Sequence, residues 1–384
     1  MPRFIQLHIL TSYPAANLNR DDLGAPKSMR YGDTNRLRVS SQSLKRAWRV
    51  SDAFKTALGA THLGVRTKEL GRKVYCALTQ GATLDAVWDA PDATGSLPTL
   101  KEKPAVEIAR AIAGVFGQIK KPTDAKSDKE TSAAPKRETL LKFLATEQLT
   151  HINQEERCVV SEAVEACRAT GKAPEAEALN LLRGDTKAVD IAMFGRMLAA
   201  SARFNVEAAV QVAHAVTVHK AVAEDDFFTA VDDLNRDDTG AGHIGVSEFG
   251  AGLYYLYVCI DQALLAENLG NDEALVKKSL AALTTAACTV APTGKQASYA
   301  SRAYACFALA EKGDDTPRSL SLAFLKPVEA PENGSIGEEA VEALLAAKKK
   351  IDTVYGLSLE AESFDVFKGE GSLAALCGFV AKDA

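Results

Sequence analysis

The stretch RLRVSSQSLKRAWR, residues 36–49, passes from extended chain into helix within a few residues. Arg36-Leu37-Arg38-Val39 reads as a short basic strand or extended segment. Ser40 and Ser41 then supply side-chain oxygens suited to an N-cap, which predicts a helix from about Gln42 to Leu58. Gln42, Lys45, Arg46 and Arg49 recur at i, i+3, i+4 and i+7, so they form one polar, basic stripe. Leu44, Ala47, Trp48 and Ser51 cover another side, and Phe54 and Leu58 continue the apolar contacts. The helix dipole disfavours cations near the first turns. Several of them there predict an anion at that end, where free backbone N–H groups also favour phosphate.

Outward from this segment, Phe4 to Thr11 alternates as a strand, with Ile5, Leu7 and Ile9 on one face and Phe4, Gln6, His8 and Leu10 on the other. Asn17 to Asp22 is a loop rich in turn formers. Residues 60–184 read as mainly helical, with helical spacing over Pro104–Gln118; Lys120–Glu130 holds no large apolar side chain and reads as a surface loop. Lys136, Arg137 and Lys142 fall on or near a further helix, where an ordinary solvated face is an equal alternative. Val206–His219 has a period-2 bias, which puts Val206, Val210, Val212, Val216 and Val218 on one strand face. Leu253–Ile260 is another strand, Ser301–Leu309 a possible one, and 272–291 and 337–355 are helices that cover the sheet.

Charge narrows the function. Residues 1–73 carry 14 Lys and Arg against 5 Asp and Glu, although the whole chain of 384 residues has a net charge of −5. One localised anion-binding surface fits this layout; scattered solvated cations are the alternative. Residues 221–249 hold eight carboxylates against Arg236 alone, together with Phe227, Phe228 and Phe249. Such an acidic connection between strands calls for a basic partner, and the basic region of a second copy of the chain is self-complementary to it. Mean hydropathy is −0.08 and no apolar run has the roughly 20 residues of a membrane span, so no membrane role is expected. The amino-terminal residues lack the apolar core of a signal peptide. Seven cysteines without C-x-x-C pairing fit reduced thiols and a cytoplasmic location.

Familiar catalytic and cofactor motifs fail. Gly240–Gly245 matches G-x-G-x-x-G as a string, but carboxylates precede it where a strand is needed. Gly294-Lys295-Gln296 lacks the rest of a P-loop. His214 and His219 are five apart rather than at zinc spacing. Asp21-Asp22 suits a turn beside Arg20 better than a metal, and His8 could act as a base only with a nucleophile that the sequence does not supply. No catalytic residue, metal or cofactor is expected.

LNRDD (18–22), RLRVSSQSLKRAWR (36–49), VDIAMFGRM (189–197), AHAVTVH (213–219), DFFTAVDDL (226–234) and HIGVSEFGAGLYYLYV (243–258) together resemble the CasC family, the backbone subunit of the type I-E CRISPR surveillance complex Cascade. The resemblance runs in order from residue 4 to about 270, more loosely in 60–184 and weakly beyond about 310. It implies an α+β fold: an RRM-like (ferredoxin-like) palm of residues 1–58, 185–220 and 250–384, a helical fingers insertion at 59–184 and a β-hairpin-like thumb at 221–249. It implies a non-enzymatic protein that polymerises along CRISPR RNA, alongside other Cascade subunits, and displays the guide for pairing with target DNA in antiviral defence. On this resemblance Arg20, Lys27, Gln42, Lys45, Arg46 and Arg49 hold the guide backbone without regard to its letters. Met197, Phe228 and Ile244 match the apolar residues that flank a displaced nucleotide, though Phe228 could anchor the thumb while Phe227 meets the base. Lys136, Arg137 and Lys142 resemble the lysine-rich helix that contacts DNA. Backbone proteins of other CRISPR types cut RNA with a loop aspartate, so a metal-dependent endoribonuclease using Asp21 or Asp22 is the competing expectation. A protein-only scaffold whose basic stripe binds an acidic partner is the third.

Overall fold

The computed structural model describes residues 2–120, 136–184, 186–199, 201–231, 234 and 243–382, with backbone only at 136, 137 and 243. The expected loop beyond residue 120, four of the eight carboxylates of 221–249 and Gly240–Gly242 lie outside these residues. The chain divides into two units, one formed by Met1–Leu58, Ala209–Glu267 and Asn271–Ala384, the other by Gly59–Ala208 and Asn268–Gly270. Residues 185–208 thus group with the insertion rather than with the sheet.

The first unit is built on an antiparallel sheet. Strand β1 (Phe4–Ala16) pairs with both β9 (His243–Asp261) and β10 (Ala305–Gly313), with His8 opposite Tyr257 on one side and Leu309 on the other. Strands β2 (Ser28–Tyr31), β3 (Thr34–Val39), β6 (Val210–Val212), β7 (Ala215–Thr217), β8 (Glu224–Ala230) and β11 (Glu360–Asp365) complete it in the order β11-β10-β1-β9-β7-β3-β2; β6 and β8 also pair with β9. Both faces of β1 are buried. Ile5, Leu7 and Ile9 are at most 1% exposed, and so are His8 and Leu10 on the face read from sequence as polar.

That second face is covered by α12 (Ile336–Tyr355), whose Ala340, Val341 and Leu344 meet Leu10, Tyr255 and Leu309. His8 sits within a buried polar network there. Its Nδ1 lies 2.9 Å from the Tyr255 hydroxyl and its Nε2 3.0 Å from Glu311, which also pairs with Arg318 and Lys348. The backbone N–H of Leu320 donates to the Tyr255 hydroxyl, leaving the phenol proton for His8 Nδ1 and the Nε2 proton for Glu311. Burial holds the His8 imidazole below its ordinary value. For Glu311, burial pushes the carboxyl up, but hydrogen bonds and charge from His8 and Arg318 outweigh this and bring it down to about 2. His8 is therefore a buried structural histidine with no nucleophile beside it.

The helix expected over 42–58 is broken in two, α1 (Ser41–Val50) and α2 (Asp52–Leu58). Ser51 interrupts it in extended conformation; its hydroxyl donates to the Trp48 carbonyl and accepts from the Phe54 N–H, so it caps the second piece. Helices α2 and α13 (Leu373–Ala381) each pack on α10 (Glu273–Thr289). The single strand expected over Val206–His219 is likewise interrupted at Ala213-His214. After that break Ala215, Thr217 and Val218 are buried and Val216 is half-buried, so regular alternation does not continue. Strand β9 is far longer than Leu253–Ile260. Its first third forms a hairpin with β8, pairing Glu224 with Phe249 through Ala230 with His243, before the strand enters the sheet.

The second unit has its own core. Leu70, Val74 and Leu78 of α3 (Leu70–Gln80) meet Ile108, Ile112 and Phe116 of α5 (Glu102–Phe116) and Val160 and Val164 of α7 (Gln154–Thr170), each triplet or pair at helical spacing. A capping box starts α7: Asn153 accepts from the Glu156 N–H while Glu156 accepts from the Asn153 N–H. The same Glu156, fully buried, receives two 2.8 Å hydrogen bonds from Arg196 Nη1. A two-stranded ladder, β4 (Val65–Thr67) with β5 (Thr150–Ile152), and helices α4 (Leu84–Asp89), α6 (Lys136–Lys142) and α8 (Val189–Phe194) complete the unit.

Candidate nucleic-acid interface

Helix α1 presents the basic stripe because its opposite face is fixed. Leu44, Ala47 and Trp48 are buried, with Trp48 at 0% exposure. Gln42 and Arg46 are consequently exposed and Lys45 and Arg49 half-buried, the latter two each with partners within the chain. Burial draws the Lys45 ammonium below its ordinary value. The N-terminus is fixed by three side chains. Ser40 Oγ accepts from the Ser43 N–H, the Ser40 N–H donates to Asn19, and the Ser41 N–H donates to His214 Nδ1 at 2.8 Å.

The loop of residues 17–27 forms the facing wall. Asp21 Oδ1 accepts from the N–H groups of Leu23 and Ala25, so this carboxylate closes a turn. Arg20 bridges Pro26, and the Lys27 N–H donates to the Asn19 carbonyl. Asn17, fully buried, ties the loop to Gly24 and to Glu248 at the start of the sheet portion of β9. Gly294 lets the following segment approach. A Cβ there would come within 2.4 Å of the Leu18 carbonyl oxygen and 2.5 Å of that of Asn17, both backbone. Between the loop, α1 and this glycine lies an open cleft of about 670 Å³, lined among others by Arg20, Asp22, Arg46, Val50 and Thr293.

Loop and helix therefore bring Arg20 and Arg46 to one cleft, with Gln42, Lys45 and Arg49 on the same helix face as Arg46. Lys27 lies at the loop's exit. Arg36, in contrast, is fully buried; its guanidinium donates to the carbonyls of Thr217 and Phe324 and is unavailable to a ligand. Sequence reading did not find the roles of His214 and Gly294. Neither carries a local sign of these contacts, because their partners lie 173 residues or more away in the chain.

The hairpin residues fall on two faces. Phe227, Ile244 and Val246 share one, at 64%, 60% and 64% exposure. Phe228 is on the other, its ring over Gly245, where a Cβ would lie 2.4 Å from Cζ. Phe228 and Ile244 thus do not face one base from the same side. Met197, 76% exposed, belongs to the second unit. Lys142 is exposed on α6, while the side chains of Lys136 and Arg137 lie outside the described residues. Among the described residues no cluster of His, Cys, Asp and Glu could hold a metal, and no helix is long and apolar enough to cross a membrane.

Comparison with known proteins places this geometry. The family model described as CT1975-like protein matches residues 5–376. The chain belongs to this CT1975-like family. A solved structure described as "CRISPR RNA-guided surveillance complex, pre-nicking" superposes with a TM-score of 0.76 at 25% identity, over 98% of this chain and 99% of that one. A second, described as "CRISPR RNA-guided surveillance complex", shares the fold with a TM-score of 0.57 at 23% identity, over 97% and 92% of the two chains. No curated protein sequence matches the chain.

Proposed function

We propose that this chain is a guide-RNA-binding backbone subunit of a CRISPR RNA-guided surveillance complex of type I-E, and that it is not itself an enzyme. The observation that carries the reading is the cleft in which Arg20 and Arg46 meet beside the stripe Gln42, Lys45 and Arg49. Such a surface offers charge and amide donors to phosphate, contacts that are blind to sequence as a protein serving any guide requires. The likeness to a surveillance-complex chain over nearly the whole length supports it.

The first unit supports an RRM-like palm. Its succession β1, α1–α2, β7, β9, α10, β10 lies in the sheet order β10-β1-β9-β7, the antiparallel 4-1-3-2 arrangement of a ferredoxin-like core. The β8–β9 hairpin is the thumb. Its carboxylates Asp225, Asp226 and Glu248 suit the basic surface of the next copy in a filament. Its exposed face of Phe227, Ile244 and Val246 suits a base, with Phe228 holding the hairpin's other side. Lys136, Arg137 and Lys142 supply cations for target DNA, whose sequence is read by pairing with the guide.

Asp22 supports the competing nuclease reading, since it lines the cleft while Asp21 closes the turn. One experiment separates the two. Purified with RNA, the wild-type protein should carry nucleic acid that Lys45→Ala with Arg49→Ala loses while the fold is retained. Divalent-metal-dependent RNA cleavage abolished by Asp22→Ala would establish the nuclease instead.

A further inference from the structure

Beyond the residues of the cleft, Lys27 just before β2, Arg38 on β3 and His214 just before β7 form a basic row across three neighbouring chain segments. Ser28 of β2 pairs with Leu37 of β3, and the Arg38 N–H donates to the Lys27 carbonyl at 2.8 Å, so Lys27 stands opposite Arg38. On the other side Arg38 pairs with Val216 and Val39 with Ala215 of β7, and His214, at the break just before that strand, is held beside the end of β3 by the Ser41 N–H. Side chains at such neighbouring positions lie within reach of one another when long. Val39 and Ala215 are buried, whereas Lys27 and Arg38 are half-buried and His214 is exposed. Among the described residues none of the three takes part in an ion pair.

His214 has a defined chemistry there. Its Nδ1 accepts the Ser41 N–H at 2.8 Å, so the neutral ring carries its proton on Nε2, and the ring is exposed. Burial, then the charges of Arg38 and Lys27, hold the imidazole below its ordinary value and keep this tautomer at neutral pH. From this juxtaposition we infer that Lys27, Arg38 and His214 form one phosphate seat in which His214 Nε2–H donates to the same anionic group that Lys27 and Arg38 neutralise. It rests on the RNA-binding reading above and adds Arg38 and His214 to the guide's ligands. A neutral imidazole donor beside two cations suits an anion of concentrated charge, here a phosphodiester of the ribose-phosphate strand.

Charge and neutral donor leave different signatures in salt titrations of an oligouridylate. Arg38→Gln should make the log–log salt slope less negative by about 0.7, because one counterion fewer is released per phosphate neutralised. His214→Ala should weaken binding by about tenfold, as for a hydrogen bond to a charged group, and leave the slope unchanged. In the wild-type protein, imidazole nitrogen NMR should show His214 protonated on Nε2 and that nitrogen's shift moving on RNA addition. Thermal unfolding of both variants without RNA checks the fold, and Arg38→Gln touches no helix cap. A His214 protonated on Nδ1, an Nε2 shift indifferent to RNA, or unchanged affinity in His214→Ala overturns the seat while the RNA-binding reading stands. Failure of the wild-type protein to bind the oligouridylate overturns both.

Discussion

Neutralising the α1 stripe gives the sharpest quantitative test of the interface. The variant Lys45→Gln, Arg46→Gln, Arg49→Gln keeps helix-compatible side chains and leaves the buried Leu44, Ala47 and Trp48 and the Ser40 cap intact. Gln42 to Arg49 spans about 10 Å at 1.5 Å per residue, room for two to three nucleotides at roughly 3.4 Å each. Six cations, Arg20, Lys27, Arg38, Lys45, Arg46 and Arg49, set an upper limit of about 4.2 on the steepness of the log–log dependence at roughly 0.7 per phosphate. Over a fourfold rise in salt the wild-type protein should then lose at most about 340-fold in affinity, and the triple variant, with three of the cations left, at most about 18-fold. Fluorescence anisotropy with labelled oligouridylate, from about 50 to 200 mM salt, reads both slopes. Parallel titrations of the two proteins would refute phosphate binding by α1, wherever the absolute affinities fall.

Other features give independent expectations. Arg196→Met leaves the fully buried Glu156 carboxylate without its guanidinium and should cost the second unit about 3–5 kcal/mol, measured by urea unfolding; an unchanged midpoint would contradict it. Stability should fall in two steps on acidification. His8 and His214 are held below 6.5 in the fold, so the stability they contribute is complete above that pH and is lost as pH falls through their folded values. Glu311, near 2 against 4.5 unfolded, contributes on the order of 3 kcal/mol above pH 4.5, lost between the two. His8→Gln should flatten the upper step in a pH series of thermal unfolding. On the hairpin, Phe228→Ala should speed amide exchange across the Phe228–Gly245 pair by uncovering Gly245. Phe227→Ala should spare exchange and weaken RNA binding by about 1 kcal/mol or more; the opposite assignment would put the base-contact face on the side of Phe228.

What the sequence disclosed is what short-range chemistry controls. The cap at Ser40, the stripe of α1 and the extended run of β1 each depend on residues a few positions apart, and each was legible; the burial of both faces of β1 was not. The two-helix break at Ser51 was not, because a serine at that position reads equally as helix surface or as a new cap. His8 looked solvent-facing because Tyr255, Glu311 and α12, which enclose it, are supplied from 247 or more residues away. The cleft was half legible. Arg20 and Arg46 could be named, but the glycine that lets residues 293–294 close on the loop, and the histidine that caps α1, carry no local signal. The interruption at Ala213-His214 defeated a period-2 reading by changing which residues of the following strand point inward.

The pairing of β1 has a consequence for synthesis on the ribosome. Its neighbours begin near residues 250 and 305, so the first strand emerges long before either flank exists. At about 5–20 residues per second, roughly 12–50 seconds separate Ala16 from Gly250. The insertion, whose helices and ladder draw almost wholly on Gly59–Ala208, is complete well within that interval. Nascent chains therefore carry a finished helical body behind a bare apolar strand with both edges unsatisfied, which is the species a chaperone or an aggregating neighbour meets first.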